Sequence, residues 1–173
     1  MAHIQSLTAA EARDAIDGLT LLLQDAVASG ASLGFLDPLE DGMARDYWRS
    51  VIAKIEEGTR ILLVARAEDG RLVGAAQLDL ATMPNGRHRA EVQKVCVLRS
   101  ARGQGIGRQL MLAIEDTARV AGRTLLVLDT WQGSVAEGLY RKLGYAEVGV
   151  IPGFARSSRG TLDATVIFYR MLE

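Results

Sequence analysis

Arg102-Gly103-Gln104-Gly105-Ile106-Gly107 stands between a β-type run and an amphipathic stretch, and its reading decides the fold. Behind it Ile106, Leu110, Met111, Ile114 and Ala118 recur at helical spacing, while Arg108, Gln109, Glu115 and Arg119 are predicted on other faces. Glycines here leave backbone N–H groups uncovered, and a helix N-terminus adds the positive end of its dipole. Gly103 through Gly107 are therefore expected to cradle a phosphate or pyrophosphate, with Arg102 and Arg108 adding charge. Two common phosphate loops are excluded. The dinucleotide fingerprint G-x-G-x-x-G meets Arg108 or Leu110 at its last position, and G-x-x-x-x-G-K-[ST] has no match.

Working outward from the turn, residues 89–98 read as a strand, preceded by strands over 61–67 and 72–82. Glu68-Asp69-Gly70 and Met83-Pro84-Asn85-Gly86 supply the turns, so the centre is an antiparallel meander. Upstream, residues 3–7 form a short strand, and Thr8 with Glu11 has capping-box spacing. The helix they start carries Ala15, Ile16, Leu19, Leu22, Leu23 and Val27 and stops at Ser29-Gly30. Asp37 as cap and Pro38 at the first helical position predict a second helix running to Glu57, closed by Gly58. Downstream come the helix to Ala121, an apolar strand over 125–129, a short helix over 134–143, and closing strands over 145–151 and 161–171. This order predicts an α/β (α+β) fold: one mixed, mostly antiparallel sheet with a parallel crossover and helices on both faces. Neither repeat nor linker interrupts it, so residues 1–173 are expected to form one domain.

Composition narrows the function. Of 173 residues, 49% are hydrophobic and 24% charged, with a formal net charge of −1. A nucleic-acid partner would call for a basic excess. Cys96 is the sole cysteine and His3 and His88 the only histidines, so neither a disulfide, a metal site nor a Cys–His nucleophile is expected. The N-terminus lacks the pattern of a signal peptide, and no apolar stretch approaches the roughly 20 residues that span a bilayer. No membrane association and a cytoplasmic location are expected.

Two segments carry a family resemblance. Val97-Leu98-Arg99-Ser100-Ala101-Arg102-Gly103-Gln104-Gly105-Ile106-Gly107, with R-x-x-G-x-G at its centre, resembles the first signature of the GNAT acetyltransferase superfamily. Ala136-Glu137-Gly138-Leu139-Tyr140-Arg141-Lys142-Leu143-Gly144-Tyr145 resembles its second, A-x-x-x-Y-x-x-x-G-[FY], at the family's separation of one helix and one strand. Shorter stretches, among them Arg89-Ala90-Glu91-Val92-Gln93-Lys94, Leu128-Asp129-Thr130 and Gly133-Ser134-Val135-Ala136-Glu137, are similar to the tabtoxin-resistance type within that superfamily. The resemblance implies a splayed parallel strand pair, acetyl-coenzyme A as cosubstrate and no metal. It further implies a small-molecule amine as acceptor, an amino-acid-like toxin or antibiotic being one such class, and a homodimer as an assembly. It carries over the reaction and not the acceptor. Two positions depart from the pattern: Arg99 stands where proline is common, and Gly133 where an asparagine often meets the pantetheine arm, leaving Ser134 to share that contact.

In the resembling family pantetheine enters the splay and pairs like an extra strand, which here assigns it the backbone of Val95, Cys96 and Val97, one N–H facing the oxyanion. Tyr140 is the implied proton donor to the departing thiolate, since a phenol with a reference pKa near 10 keeps its proton at neutral pH; packing with Leu139 and Leu143 is its alternative role. Glu91 and Asp129 are the candidate bases, against a sheet-edge salt bridge for Glu91 and a turn or helix cap for Asp129. Strand alternation puts Glu91 and Gln93 on the face of Val95 and Val97, away from Lys94 and Cys96. Cys96 and Tyr145 read as core, Trp48 as core or pocket wall, and Trp131 as cleft lining. Loops 30–37 and 156–160 are expected to select the acceptor. The resulting reading is an acetyl-CoA-dependent N-acetyltransferase. Its alternatives are a CoA-binding sensor without turnover and a protein or peptide acetyltransferase.

Overall fold

Thr8 opens the first helix as its spacing predicts: its Oγ1 accepts from the Glu11 amide at 3.3 Å, and Glu11 Oε2 accepts from the Thr8 amide at 2.8 Å. The computed structural model describes residues 2–173. Strand β1 (His3–Leu7) leads into this helix, α1 (Ala9–Asp14). Ala15, at φ −90° and ψ 4°, breaks what the spacing predicted as one helix, and α2 follows as a separate unit (Ile16–Ala28). The next expectation also needs correction. Helix α3 (Asp41–Glu56) starts at Asp41 with Glu40 at its cap, not at Asp37-Pro38. Leu39 is buried and its carbonyl accepts from Gln24 Nε2 at 3.1 Å, which holds this stretch outside the helix.

Strands β2 (Arg60–Arg66), β3 (Leu72–Leu80) and β4 (Arg89–Val97) form the meander. Helix α4 (Ile106–Val120), strand β5 (Leu125–Trp131), helix α5 (Val135–Lys142) and strands β6 (Ala146–Arg156) and β7 (Leu162–Met171) complete the chain. Strand β5 runs two residues past Asp129, and β6 passes through Pro152 to Arg156, with register shifts against β7. The seven strands order as β1-β2-β3-β4-β5-β7-β6, every neighbouring pair antiparallel except β4 and β5. That is the mixed, mostly antiparallel sheet expected from the element order.

Alternation along β2 explains the layers. Leu62 and Val64 pack with Leu19, Leu22, Leu23, Trp48 and Val51 beneath α2 and α3, while Leu63 and Ala65 join Leu110, Met111, Ile114 and Phe168 on the side of α4. Helices therefore cover both faces, and Trp48 is core. Glu115 breaks the predicted pattern of α4: it is buried against Arg170, 3.5 Å away, rather than solvated. Gly74 explains how closely α4 approaches. A Cβ there would lie 3.0 Å from Leu110 Cδ1 and 3.1 Å from the Cys96 carbonyl, so glycine lets the helix's first turns settle on β3 without displacing either. Among the described residues no helix is long and apolar enough to cross a membrane.

Candidate active site

Strands β4 and β5 pair over three positions only: Arg89 with Leu125, Ala90 with Leu126 and Glu91 with Val127. Beyond these, β4 continues to Val97 bound to β3 alone, while β5 continues to Trp131 bound to β7. The sheet opens between them. The backbone of Val95, Cys96 and Val97 therefore borders a wedge rather than a neighbouring strand.

At one end of the wedge lies the glycine turn. Gly103 and Gly105 adopt φ +79° and +77°, the left-handed region that costs any side chain energy, and Gly105 caps α4 without a side-chain partner. A Cβ at either would meet no protein atom within 4 Å, so both face open space. None of the amides from Gly103 to Arg108 finds a protein acceptor among the described residues. Free amides at the start of a 15-residue helix are the groups that an anion can use. Arg102 braces this turn from below: its Nε donates to the Val97 carbonyl at 3.1 Å and its Nη2 to Ser29 Oγ at 2.6 Å. Arg99, at the proline-type position, donates its backbone amide and its Nε to Asp25, both at 2.8 Å, and so fixes the same loop to α2.

At the other end lies a cavity of about 190 Å³ lined by Ser32, Gly34, Lys94, Asp129, Trp131 and Thr165, among others. Both loops expected to select the acceptor border it or tie to its rim. Residues 32–34 line it, and the Asp37 amide donates to Ser158 Oγ at 2.8 Å. Asp129 stands inside β5, where its Oδ2 accepts from the buried Thr165 hydroxyl at 2.6 Å. The cap role considered for it is thereby excluded. Trp131 lines the cavity as expected, with the Arg159 guanidinium 5.2 Å from its ring centroid.

Tyr140 projects from α5 into the sheet and packs against Tyr145 and Phe168 at centroid distances of 5.9 and 6.2 Å. Burial, joined by the charge of Asp129, pushes its phenol well above its usual value. The proton therefore stays on through the neutral range. Tyr145 and Cys96 are core, and burial drives the Cys96 thiol up to about 12. Ser134 caps α5, accepting from the Glu137 amide and lying 3.1 Å from Thr130 Oγ1. No group of three His, Cys, Asp or Glu side chains suited to a metal occurs among the described residues.

One sequence argument fails here for a physical reason. A bulge in β4 sets Lys94 at φ +52°, the only non-glycine residue with positive φ among those described, and shifts the register against β3 between Ala75 and Gln77. Ala90 and Val92 face the α4 side, and so do Val95 and Val97 across the bulge. Glu91 and Gln93, opposite Asp79 and Gln77, therefore share the face of Cys96 and not that of Val95 and Val97. Glu91 and Asp129 still flank the same opening, Glu91 at the last β4–β5 pair. Simple alternation cannot foresee the extra residue. Beneath this face lies a buried network missed from sequence: Arg60 donates to Gln77 at 2.7 Å and pairs with Asp79, and Tyr47 is hydrogen-bonded to Gln77. Three polar residues on the alternating positions of β2 and β3 were its only sequence signal.

A family model described as acetyltransferase (GNAT) domain matches residues 58–147, the span from β2 through the glycine turn to α5. An IAA acetyltransferase of Azospirillum brasilense is 36% identical over 133 residues, 73% of this chain and 81% of that protein. An L-methionine sulfoximine/L-methionine sulfone acetyltransferase of Pseudomonas paraeruginosa is 29% identical, covering 87% of this chain and 86% of its own length. The chain spans 61% of a further A. brasilense relative, an uncharacterized N-acetyltransferase. The crystal structure of a ribosomal-protein-alanine N-acetyltransferase from Brucella melitensis superposes with a TM-score of 0.80 at 26% identity, over 98% of this chain and 99% of that one.

Proposed function

The chain belongs to the GNAT acetyltransferase family, and from that premise we propose that it transfers the acetyl group of acetyl-CoA to the amine of a small molecule. One observation carries the reading: β4 and β5 part after three pairs, between a glycine turn with unpaired amides and a cavity bearing Asp129. A thiol ester linked to a pyrophosphate needs such a layout, phosphates at one end and the reacting carbonyl at the other. Gly103, Gln104, Gly105, Ile106, Gly107 and Arg108 offer the amides for the pyrophosphate, with Arg102 holding the turn in shape. Val95, Cys96 and Val97 present an unpaired strand edge to the pantetheine arm, and Ser134 lies across the wedge from them.

Asp129 is the base of choice because it lines the cavity. Its carboxylate takes the proton of the acceptor ammonium, and Glu91, at the mouth of the same opening, is a second station for that proton. The freed amine attacks the thioester carbonyl to form the C–N bond and a tetrahedral oxyanion, whose collapse breaks the C–S bond; the second amine proton, shed from the nitrogen, replaces the one that Tyr140 gives up. A backbone N–H of β4 faces the developing oxyanion. Tyr140 gives the leaving thiolate its proton, its own raised pKa ensuring that the proton is present to give. A cavity of about 190 Å³, bordered by residues 32–34, suits a small acceptor better than a polypeptide. The name of the L-methionine sulfoximine/L-methionine sulfone acetyltransferase points to amino-acid derivatives as the first acceptors to try.

The test is release of free thiol from acetyl-CoA across amines, amino acids including methionine sulfone, and short peptides. Turnover of a small amine supports the reading. Turnover of peptides alone moves the protein to the polypeptide class, and tight CoA binding with no turnover makes it a sensor.

A further inference from the structure

Among the described residues Lys94 is the one cation lining the acceptor cavity, where the bulge aims it. Its backbone holds a left-handed conformation that is costly for a side-chain-bearing residue and persists only where the surroundings fix it. Without the extra residue, alternation would turn position 94 toward α4. With it, the ammonium stands 5.9 Å from the Tyr47 ring centroid and 3.5 Å from where a Cβ of Gly34 would lie. Gly34 itself has φ +82°, and the loop that carries it packs at van der Waals distance from the lysine head. Lys94 makes no ion pair and no hydrogen bond among the described residues.

We propose that Lys94 is the specificity anchor of the acceptor cavity, pairing with a carboxylate or equivalent oxyanion on the acceptor while Asp129 receives its amine. The inference rests on the reading of this cavity as the acceptor site. A half-buried ammonium without a hydrogen-bonded partner is costly to keep, and an anionic ligand group supplies the missing partner. Burial and the Arg60 charge lower its pKa, while Asp129 and Glu91 act the other way and favour the charged form. Asp129, already held by Thr165, lines the same cavity, so a cation and an anion face one small space. That pairing matches a zwitterion. The substrate class that fits is the α-amino acid or a close analogue, and not a polyamine or a neutral amine.

The experiment compares each common L-amino acid and methionine sulfone with its carboxamide, using wild type, Lys94→Met and Lys94→Arg. A charge-assisted hydrogen bond is worth about 10- to 100-fold in affinity. Wild type is expected to prefer the acid by that factor in kcat/KM, expressed mainly in KM. Lys94→Met should erase the preference and Lys94→Arg retain most of it, with all three proteins melting within a few degrees of one another. Calorimetric titration of the same pairs into CoA-loaded protein reads the anchor without turnover. Acid-selective binding that Lys94→Met removes upholds the inference even if no acetyl transfer occurs. Equal binding of acid and carboxamide, or a preference that survives Lys94→Met, overturns it while leaving acetyl transfer untouched.

Discussion

Two glycines bracket α4, and substituting each with alanine separates phosphate binding from backbone strain. Gly105 starts the helix at φ +77°, and Gly122 follows its end at φ +70°, its amide donating to the Arg119 carbonyl at 2.9 Å. Neither would place a Cβ within 4 Å of another atom, so neither substitution clashes within the protein. Each instead incurs a left-handed penalty of about 1–2 kcal/mol, offset by about 0.4–1 kcal/mol from the stiffer unfolded chain. The net loss is about 1 kcal/mol, and in a domain of this size about 2–4 °C in Tm. Thermal melting should show the same fall for Gly105→Ala and Gly122→Ala. Calorimetry with CoA should not. At Gly105 a methyl group stands in the open space before the converging amides, and losing one amide–phosphate hydrogen bond costs about 10- to 100-fold in affinity. Gly122→Ala should leave CoA affinity unchanged. Equal affinities for the two variants would refute the assignment of the phosphate site to this turn.

Three more outcomes are expected. Tyr140→Phe should lower kcat by about 10²-fold or more with CoA affinity nearly intact, and the wild-type rate should show no phenol deprotonation on the alkaline side up to about pH 10; an unchanged kcat removes Tyr140 from the acid role. Asp129→Asn should lower kcat/KM by about 10²- to 10⁴-fold, and more than Glu91→Gln does, since Asp129 alone of the two lines the cavity; the reverse order would make Glu91 the base. Cys96, buried with its thiol pushed up to about 12, should resist iodoacetamide at pH 8 in the native protein and react once unfolded; rapid native labelling, followed by mass spectrometry, would contradict the packing.

Local information settled a large part of this molecule. Glycines flanking Gln104, the apolar stripe from Ile106 to Ala118 and the Thr8–Glu11 box act over a few residues, so sequence alone located the turn, its helix and the order of strands. The places of Tyr140 in α5 and Asp129 in β5 were legible too, while the roles proposed for them came from the family resemblance. What sequence could not settle depends on contacts between distant segments. Leu39 and Gln24 displaced the start of α3, and Arg170, from the last strand, drew Glu115 into the core. The bulge at Lys94 is the consequential case. One extra residue against β3 reverses which face Glu91 presents and turns a lysine into the acceptor cavity, because strand periodicity is two and any odd insertion inverts it. The chemistry available was written in the residue types; which of them meet in one cavity was decided by strand register and by the parting of β4 from β5.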